Sequence, residues 1–262
     1  YLPSTRSVAA LIHALAGELH RQGHAVTILT ADDAVPGPML VGDEAGVRVV
    51  RVRSPKLKDV PKLRRALGEL RLSGLLWRRA APLLRRDRHD LVVYYSPSIF
   101  LADLVRRLKR AWGCPSYLIL RDIFPEWARQ VGDVPDGPAY WFCKVMEHRN
   151  YAAADVIGVQ SPGDLAYFRD SPYRAHHRVE VLRNWVAAEP AVRPAAETGW
   201  RTRLGLDGKV VFFFGGVMGP AQDMPNLLRL AAAMRDDPRT HFLLVGDGAA
   251  VPRLRRAIGR LG

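Results

Sequence analysis

VVFFFGGVMGPAQDMPNLL, residues 210–228, decides how the rest of the chain is read. The five apolar residues 210–214 suit a parallel strand covered on both faces, and a glycine-rich turn then leads into a helix start. Gly215, Gly216 and Gly219 let the backbone come close to a ligand. The N–H groups and dipole of the following helix favour an anion at the same place, so the stretch predicts a phosphate site for a nucleotide or sugar diphosphate. Glycine turns also join strands to helices for steric reasons alone, and the surrounding chain has to decide between the two.

That surrounding chain alternates short apolar runs with stretches of helical period, the pattern of an α/β protein with parallel sheets. A helix over residues 8–19, with Ser4 or Ser7 as N-cap candidates and Gly23 as its stop, precedes a strand at 26–30. Strands follow at 47–52, 91–95, 117–120, 156–159 and 179–182, with helices at 101–111 and from Pro138 to about 153. The stretch AAEPAVRPAAETG, rich in Pro, Ala and acid without periodicity, reads as an interdomain linker. The expected organisation is a domain over 1–186, a linker over 187–199 and a second unit over 200–262. That second unit offers strands at 210–214 and 241–245 and helices at 225–234 and 250–261, too few to close a doubly wound sheet alone.

With 262 residues and 48% hydrophobic content the chain can build one large core or two moderate ones, which excludes a disordered or disulfide-stapled protein. Its two cysteines, Cys114 and Cys143, form no CxxC pair, which implies a reducing compartment and no structural zinc. No apolar run reaches the ~20 residues of a spanning helix, and a cytoplasmic location is expected. The net charge of +13 is concentrated: residues 48–88 carry fourteen Lys or Arg against three acids, leaving +11 in that segment. Leu63, Leu67, Leu70, Gly74, Trp77, Ala81 and Leu84 mark one apolar stripe of a basic amphipathic helix there. Its readings are an ordinary solvated helix face, a contact with an anionic membrane surface, or a nucleic-acid site. Trp77 is the lone aromatic of the segment and lies on the stripe, so nucleic acid is not the expected partner.

In their order, several pieces resemble the retaining glycosyltransferases of family 4: YLPSTRSVAALIHALAGELHRQGHAVTILT at the start, LRDIFPEWA at 120–128, YAAADVIGVQSPGDLAYF at 151–168, VEVLRNWV before the linker, and FFFGGVMGPAQDMPNLL with FLLVGDGAAVPRL after it. The resemblance implies the GT-B fold, two Rossmann-like domains facing each other across a cleft, here with the second incomplete. DIFPE and the GxxGxAQ turn look most like the subgroup similar to WbuB, which transfers amino or deoxy sugars in surface polysaccharide assembly. Set against that family, Tyr1 falls inside the loop after the first strand, and Gly262 precedes the glutamate-bearing donor segment. Truncation at both ends and a partial donor site are therefore expected. Where many members place Arg and Lys against the donor diphosphate, this chain has Gly216 and Gln222.

The chemistry implied is transfer of a sugar from a nucleotide-sugar donor with retention, onto a glycan acceptor that is lipid-linked. Breaking the sugar–phosphate bond puts negative charge on the departing diphosphate, so hydrogen-bond donors belong there. Gly215, Gly216, Gly219, Gln222 and Gly246 are the donor-binding candidates, and Ser4, Arg6 and Arg121 the acceptor or phosphate candidates. Asp122 and Glu126 follow a strand at its C-terminal end, where ligands bind open α/β sheets, and are the catalytic candidates for orienting an acceptor hydroxyl. They also read as a helix cap and a partner of Arg121 or Arg129. No cofactor is expected beyond the nucleotide-sugar co-substrate, and no metal, because His148, His176 and His177 lack ligand partners at metal spacing. Gly246 and Gly248 read as a strand-to-helix turn with Asp247 as its cap. Two other readings stay open: a GT-B-type epimerase or phosphorylase, and a non-catalytic basic protein that binds nucleic acid or a membrane surface. The transferase reading places the protein at the cytoplasmic inner face of the membrane.

Overall fold

A computed structural model describes residues 7–57, 60–96, 98–169, 178–186, 199–219 and 222–261. The chain divides into two compact units, Tyr1–Ala188 and Glu189–Gly262. The linker expected over 187–199 lies, except for Gly199, outside the described residues.

In the first unit α1 (Ser7–Arg21) leads into β1 (Thr27–Asp32), and the hairpin of β2 (Met39–Glu44) and β3 (Val47–Arg53) follows. These strands form one sheet in the order β1-β3-β2, with β1 parallel and β2 antiparallel to β3. Strand β3 reads VRVVRVR, and its valines serve both faces of the sheet. Val47 and Val49 join Ala16 of α1 in one buried cluster, whereas Val50 and Val52 belong to the main core. Arg51, at the middle of β3, is paired with Glu44 of β2 and with Asp32 of β1, fastening the two edge strands to the central one.

The long helix α2 (Lys62–Leu84) then precedes β4 (Val92–Tyr95), α3 (Ala102–Trp112) and β5 (Ser116–Leu120). The short α4 (Glu126–Gln130) and α5 (Pro138–Tyr151) come next, followed by β6 (Val156–Val159), α6 (Pro162–Arg169) and β7 (Arg178–Val181). Strands β4 to β7 form a parallel sheet in sequence order. Leu118, Ile119 and Leu120 of β5 are all buried, as a central parallel strand covered on both faces requires. Gly113, at φ +68°, ends α3 in a left-handed cap whose N–H bonds the Lys109 carbonyl at 2.7 Å. One apolar core receives residues from both sheets of this unit together with α2 and α3. Each fully buried Leu, Val or Ile in it contributes roughly 1.5–3 kcal/mol.

Helix α2 differs from its sequence reading in the face it buries. Leu72, Leu76, Ala80 and Leu84 pack into the core, while Leu67 and Leu70 of the expected stripe are 46% and 40% exposed. The helix carries two apolar stripes, and the core takes the one built on steps of four.

The second unit contains α7 (Trp200–Arg203), β8 (Val210–Gly215), α8 (Met224–Ala233), β9 (Thr240–Val245) and α9 (Val251–Leu261). Strands β8 and β9 are parallel, with Phe212 stacked on Phe242 at 4.9 Å between ring centroids. Met218, Met224 and Leu254 are its buried centre, packed with Phe214 and Leu244. The expectation that the strand at 210–214 is covered on both faces does not hold within the described residues. Phe213, which alternates to the face opposite Phe214, is 66% exposed, because α8 and α9 cover the other side.

Candidate functional site

In the first unit the register of the parallel sheet brings the residues after each strand to one edge. Tyr95 pairs with Ile119, Leu120 with Val159, and Val159 with Val181, so Ser96, Arg121, Asp122, Gln160, Ser161, Leu182 and Arg183 follow at neighbouring ends. The C-terminal edge of a parallel sheet is where such folds bind ligands. Hydrogen bonds knit this edge: the Ser96 hydroxyl lies 3.5 Å from the Asp122 carbonyl, and Asn184 Nδ2 lies 3.4 Å from Gln160 Oε1. Ser161 and Asp164 cap the start of α6 reciprocally.

The catalytic candidates part company here. Asp122 reaches solvent at the edge, and among the described residues its carboxylate receives no hydrogen bond. The protein packed around it raises its carboxyl above the usual range by desolvation. Glu126, at the first position of α4, turns into the protein. Tyr140 donates to it at 2.8 Å, Lys144 at 3.0 Å, and Arg129 pairs with its other oxygen at 3.3 Å. Burial would raise this carboxyl, but the bonds from Lys144 and Tyr140 outweigh it and hold the group below the usual range. Lys144 also pairs with the fully buried Glu147 and donates to the Tyr167 hydroxyl at 2.8 Å, which in turn donates to Glu147 at 3.0 Å. This network fastens α4 to α5 and α6, which makes Glu126 a group that positions the DIFPE segment and leaves Asp122 as the carboxylate open to a ligand.

Arg121, a phosphate candidate, is engaged within its own unit. Its Nη1 donates to the Leu182 carbonyl at 2.5 Å and its guanidinium lies 5.0 Å from the Trp185 ring centroid. Trp185 Nε1 donates to the Leu11 carbonyl of α1 at 3.0 Å, so this clamp holds the segment after β7 against the first helix. Ser4 and Arg6 lie outside the described residues. Sequence reasoning missed Tyr95, whose phenol is raised chiefly by burial, with Arg121 lowering it and Asp122 raising it. Ser98 was missed as well; its hydroxyl is buried and has no hydrogen-bond partner among the described residues. The available signal was position: each follows or ends an apolar run.

The second unit gathers all five donor candidates around two adjoining turns. Gly216 N–H donates to the Val245 carbonyl at 3.0 Å, Met218 N–H to the Asp247 carbonyl at 2.8 Å, and Ala250 N–H to the Met218 carbonyl at 2.9 Å. A Cβ on Gly246 would lie 1.8 Å from the Gly216 carbonyl oxygen, and one on Gly248 2.4 Å from that of Met218. These glycines let two backbones touch, and Gly215 ends β8 beneath them. Gln222 folds back so that its Oε1 accepts from Gly219 N–H at 3.1 Å. The turn therefore offers fewer open amides than the sequence suggested: Gly216, Met218 and Gly219 are already paired, and a phosphate seeking the Gly219 amide has to displace the Gln222 carboxamide. Helix α8 has no side-chain cap at its N-terminus among the described residues, but its first turn offers few donors, because Pro225 carries no N–H, the Asn226 amide bonds the Asp223 carbonyl at 2.9 Å and Met224 is buried. Asp247 Oδ1 accepts from the Gly248 amide at 2.7 Å, a bond inside the turn. Among the described residues no group of His, Cys, Asp or Glu is arranged to hold a metal ion, and no helix is long and apolar enough to cross a membrane.

An α/β chain with parallel sheets and ligand edges of this kind has the fold of the GT-B glycosyltransferases. Residues 7–185 match the glycosyl transferase 4-like domain, and the chain belongs to that family. It is 22% identical over 281 residues to the Escherichia coli K12 protein named "Putative colanic acid biosynthesis glycosyl transferase WcaI", covering 100% of this chain and 67% of that one. Among solved structures, the E. coli trehalose-6-phosphate structure bound with UDP-2-fluoro glucose matches with a TM-score of 0.67 at 14% identity, over 100% of this chain and 67% of that chain. Sucrose-phosphate synthase from Thermosynechococcus elongatus matches with a TM-score of 0.67 at 17% identity, over 95% of this chain and 61% of that one. The chain thus spans about two thirds of the length of the proteins it matches.

Proposed function

We propose that this protein transfers a sugar from a nucleotide-sugar donor to a glycan acceptor with retention of configuration, in the assembly of a cell-surface polysaccharide. The observation that carries this reading is the family match over the first unit, whose parallel-sheet edge presents Asp122 as its open carboxylate. The name of the E. coli relative supports the polysaccharide setting, and the UDP-2-fluoro glucose of the matched E. coli structure supports a nucleotide-sugar donor. DIFPE and the GxxGxAQ turn support the subgroup similar to WbuB and, with it, an amino- or deoxy-sugar.

The donor diphosphate sits against the turn after β8 and the start of α8, where the Gly219 amide, released by Gln222, and the helix dipole offset the charge that develops as it leaves. Asp122 accepts a hydrogen bond from the acceptor hydroxyl and so orients it. The hydroxyl attacks from the face the diphosphate vacates, and the departing phosphate oxygen takes its proton. No second carboxylate at glycosidase spacing is needed, which agrees with Glu126 being held by Lys144. The acceptor is a polyprenyl-diphosphate-linked glycan, and the +11 segment at residues 48–88 keeps the protein on the anionic inner face of the membrane.

The test is transfer itself. Incubation with radiolabelled UDP-, GDP- and TDP-sugars and a short-chain polyprenyl-diphosphate glycan should give a product whose anomeric proton shows the donor's configuration. Replacement of Asp122 by Asn should cut the rate while leaving donor binding intact. A product of inverted configuration removes the retaining mechanism, and absence of transfer with every donor removes the enzyme reading.

A further inference from the structure

The apolar stripe read from the sequence of α2 lies, in its first half, on an open groove. Leu67, Leu70 and Gly74 line a cavity of about 1340 Å³ between α2, the segment after β3 and the first turns of α3. Gly68 admits the Leu57 side chain against the helix: a Cβ there would lie 2.6 Å from Leu57 Cδ2. The chain after β3 thereby packs onto α2 as one wall.

The cations of this groove come from three elements. Arg53 ends β3 and Lys56 follows it, Arg64, Arg71 and Arg78 stand on α2, and Arg107 stands on α3. Two acids share the lining, and one of them, Asp103, is already bonded by Arg149 at 2.9 Å. Among the described residues Lys56, Arg64, Arg71 and Arg78 have no carboxylate partner. The three arginines of α2 are seven residues apart, which puts them on one helix face with a rise of about 10 Å between neighbours. Exposed leucines sit between them. A solvated helix face has no use for leucines beside unpaired arginines in a concave site, and a nucleic-acid strand offers those leucines nothing to bury.

We propose that this groove holds a phosphorylated amphiphile, a diphosphate ester joined to an apolar isoprenoid-like chain, with the arginines on the phosphates and Leu67 and Leu70 against the chain. The inference rests on the lipid-linked acceptor in the reading above and gives that acceptor a place in the first unit. A free diphosphate shares the charged half of this chemistry, and an apolar alcohol the other half.

Calorimetric titration with farnesyl diphosphate, inorganic pyrophosphate and farnesol separates these sources. Farnesyl diphosphate should bind at least tenfold more tightly than either of the others. The triple variant Arg64→Gln, Arg71→Gln, Arg78→Gln should weaken it about a hundredfold, at roughly fivefold per arginine. Gly74→Phe keeps every charge and has room, since nothing lies within 4 Å of a Cβ at Gly74. By filling the groove it should weaken binding at least tenfold with the circular dichroism and unfolding midpoint unchanged. Pyrophosphate as tight as farnesyl diphosphate, undiminished binding in Gly74→Phe, or equal competition by a single-stranded oligonucleotide would each overturn the proposal. No nucleotide sugar is present in this titration, so its failure leaves the transferase reading standing, whereas lost transfer with binding intact strikes that reading alone.

Discussion

Replacing Lys144 by Met removes the ammonium shared by Glu126 and Glu147, and its cost can be worked from the packing. Glu147 has no exposed surface, while the Lys144 side chain keeps 18% of its own. Breaking a buried ion pair by deleting one partner costs roughly 3–5 kcal/mol, because a desolvated charge is left behind. The residual exposure of Lys144 and the bond from the Tyr167 hydroxyl to Glu147 at 3.0 Å put this case at the lower end, about 3 kcal/mol. With a urea slope of about 3 kcal/mol per molar the unfolding midpoint should fall by about 1 M. Removing both charges, Lys144→Met with Glu147→Leu, should recover most of the loss. It removes the hydrogen bonds of the Tyr167 hydroxyl to Lys144 and Glu147, at about 1 kcal/mol. Urea unfolding followed by far-UV circular dichroism measures both. If the single variant loses under about 1 kcal/mol, or if the double variant is worse than the single, the network does not fasten α4 in the way argued.

Gly246→Ala places a Cβ 1.8 Å from the Gly216 carbonyl oxygen, so the two turns of the second unit must separate. A loss of about 3 kcal/mol is expected for that unit in proteolysis or urea unfolding, and a change below 1 kcal/mol would show that the turns are not in contact. The pH dependence follows from Glu126, whose folded carboxyl lies below its usual value of 4.5. Its contribution is therefore present at neutral pH and lost as acidity passes through that lowered value. The stability gap between wild type and Glu126→Gln should be widest near pH 7 and close as the pH falls below the usual value of 4.5; a gap independent of pH would contradict this. Changing Arg64, Arg65, Arg78, Arg79, Arg85 and Arg86 to Gln should abolish flotation with anionic vesicles, since each cation near such a surface is worth about 1 kcal/mol. Unchanged flotation would remove the membrane proposal.

Much of the fold was legible because its central strands are short apolar runs in chain order with helical periods between them. β3, β5 and β6 needed no tertiary information. β2 was not legible: MLVGDE holds a glycine and two acids, and it becomes a strand through pairing with β3 and a turn at Ala45 and Gly46, both at positive φ. The buried face of α2 was misread because leucines occupy both of its stripes, and only the neighbours decide which stripe meets the core. Asp122 and Glu126 are equally plausible carboxylates in the sequence. What separates them is Lys144, eighteen residues beyond Glu126, at 3.0 Å. The edge formed by Tyr95, Asp122, Gln160 and Asn184 exists because of the parallel register, which no local pattern encodes. In the second unit Gly215, Gly216 and Gly219 were read as a close approach to a ligand, whereas the close approach in the structure is at Gly246 and Gly248, against the neighbouring turn's own backbone.

The function proposed above puts the diphosphate of a nucleotide sugar at the turn after β8 and the start of α8. Amide hydrogen exchange with and without saturating UDP-, GDP- or TDP-sugar addresses it directly. Exchange should slow within residues 215–228 for at least one donor, including the Gly219 amide as the ligand takes over from Gln222. Unaltered exchange throughout that stretch with every donor, or protection confined to other parts of the chain, would contradict it.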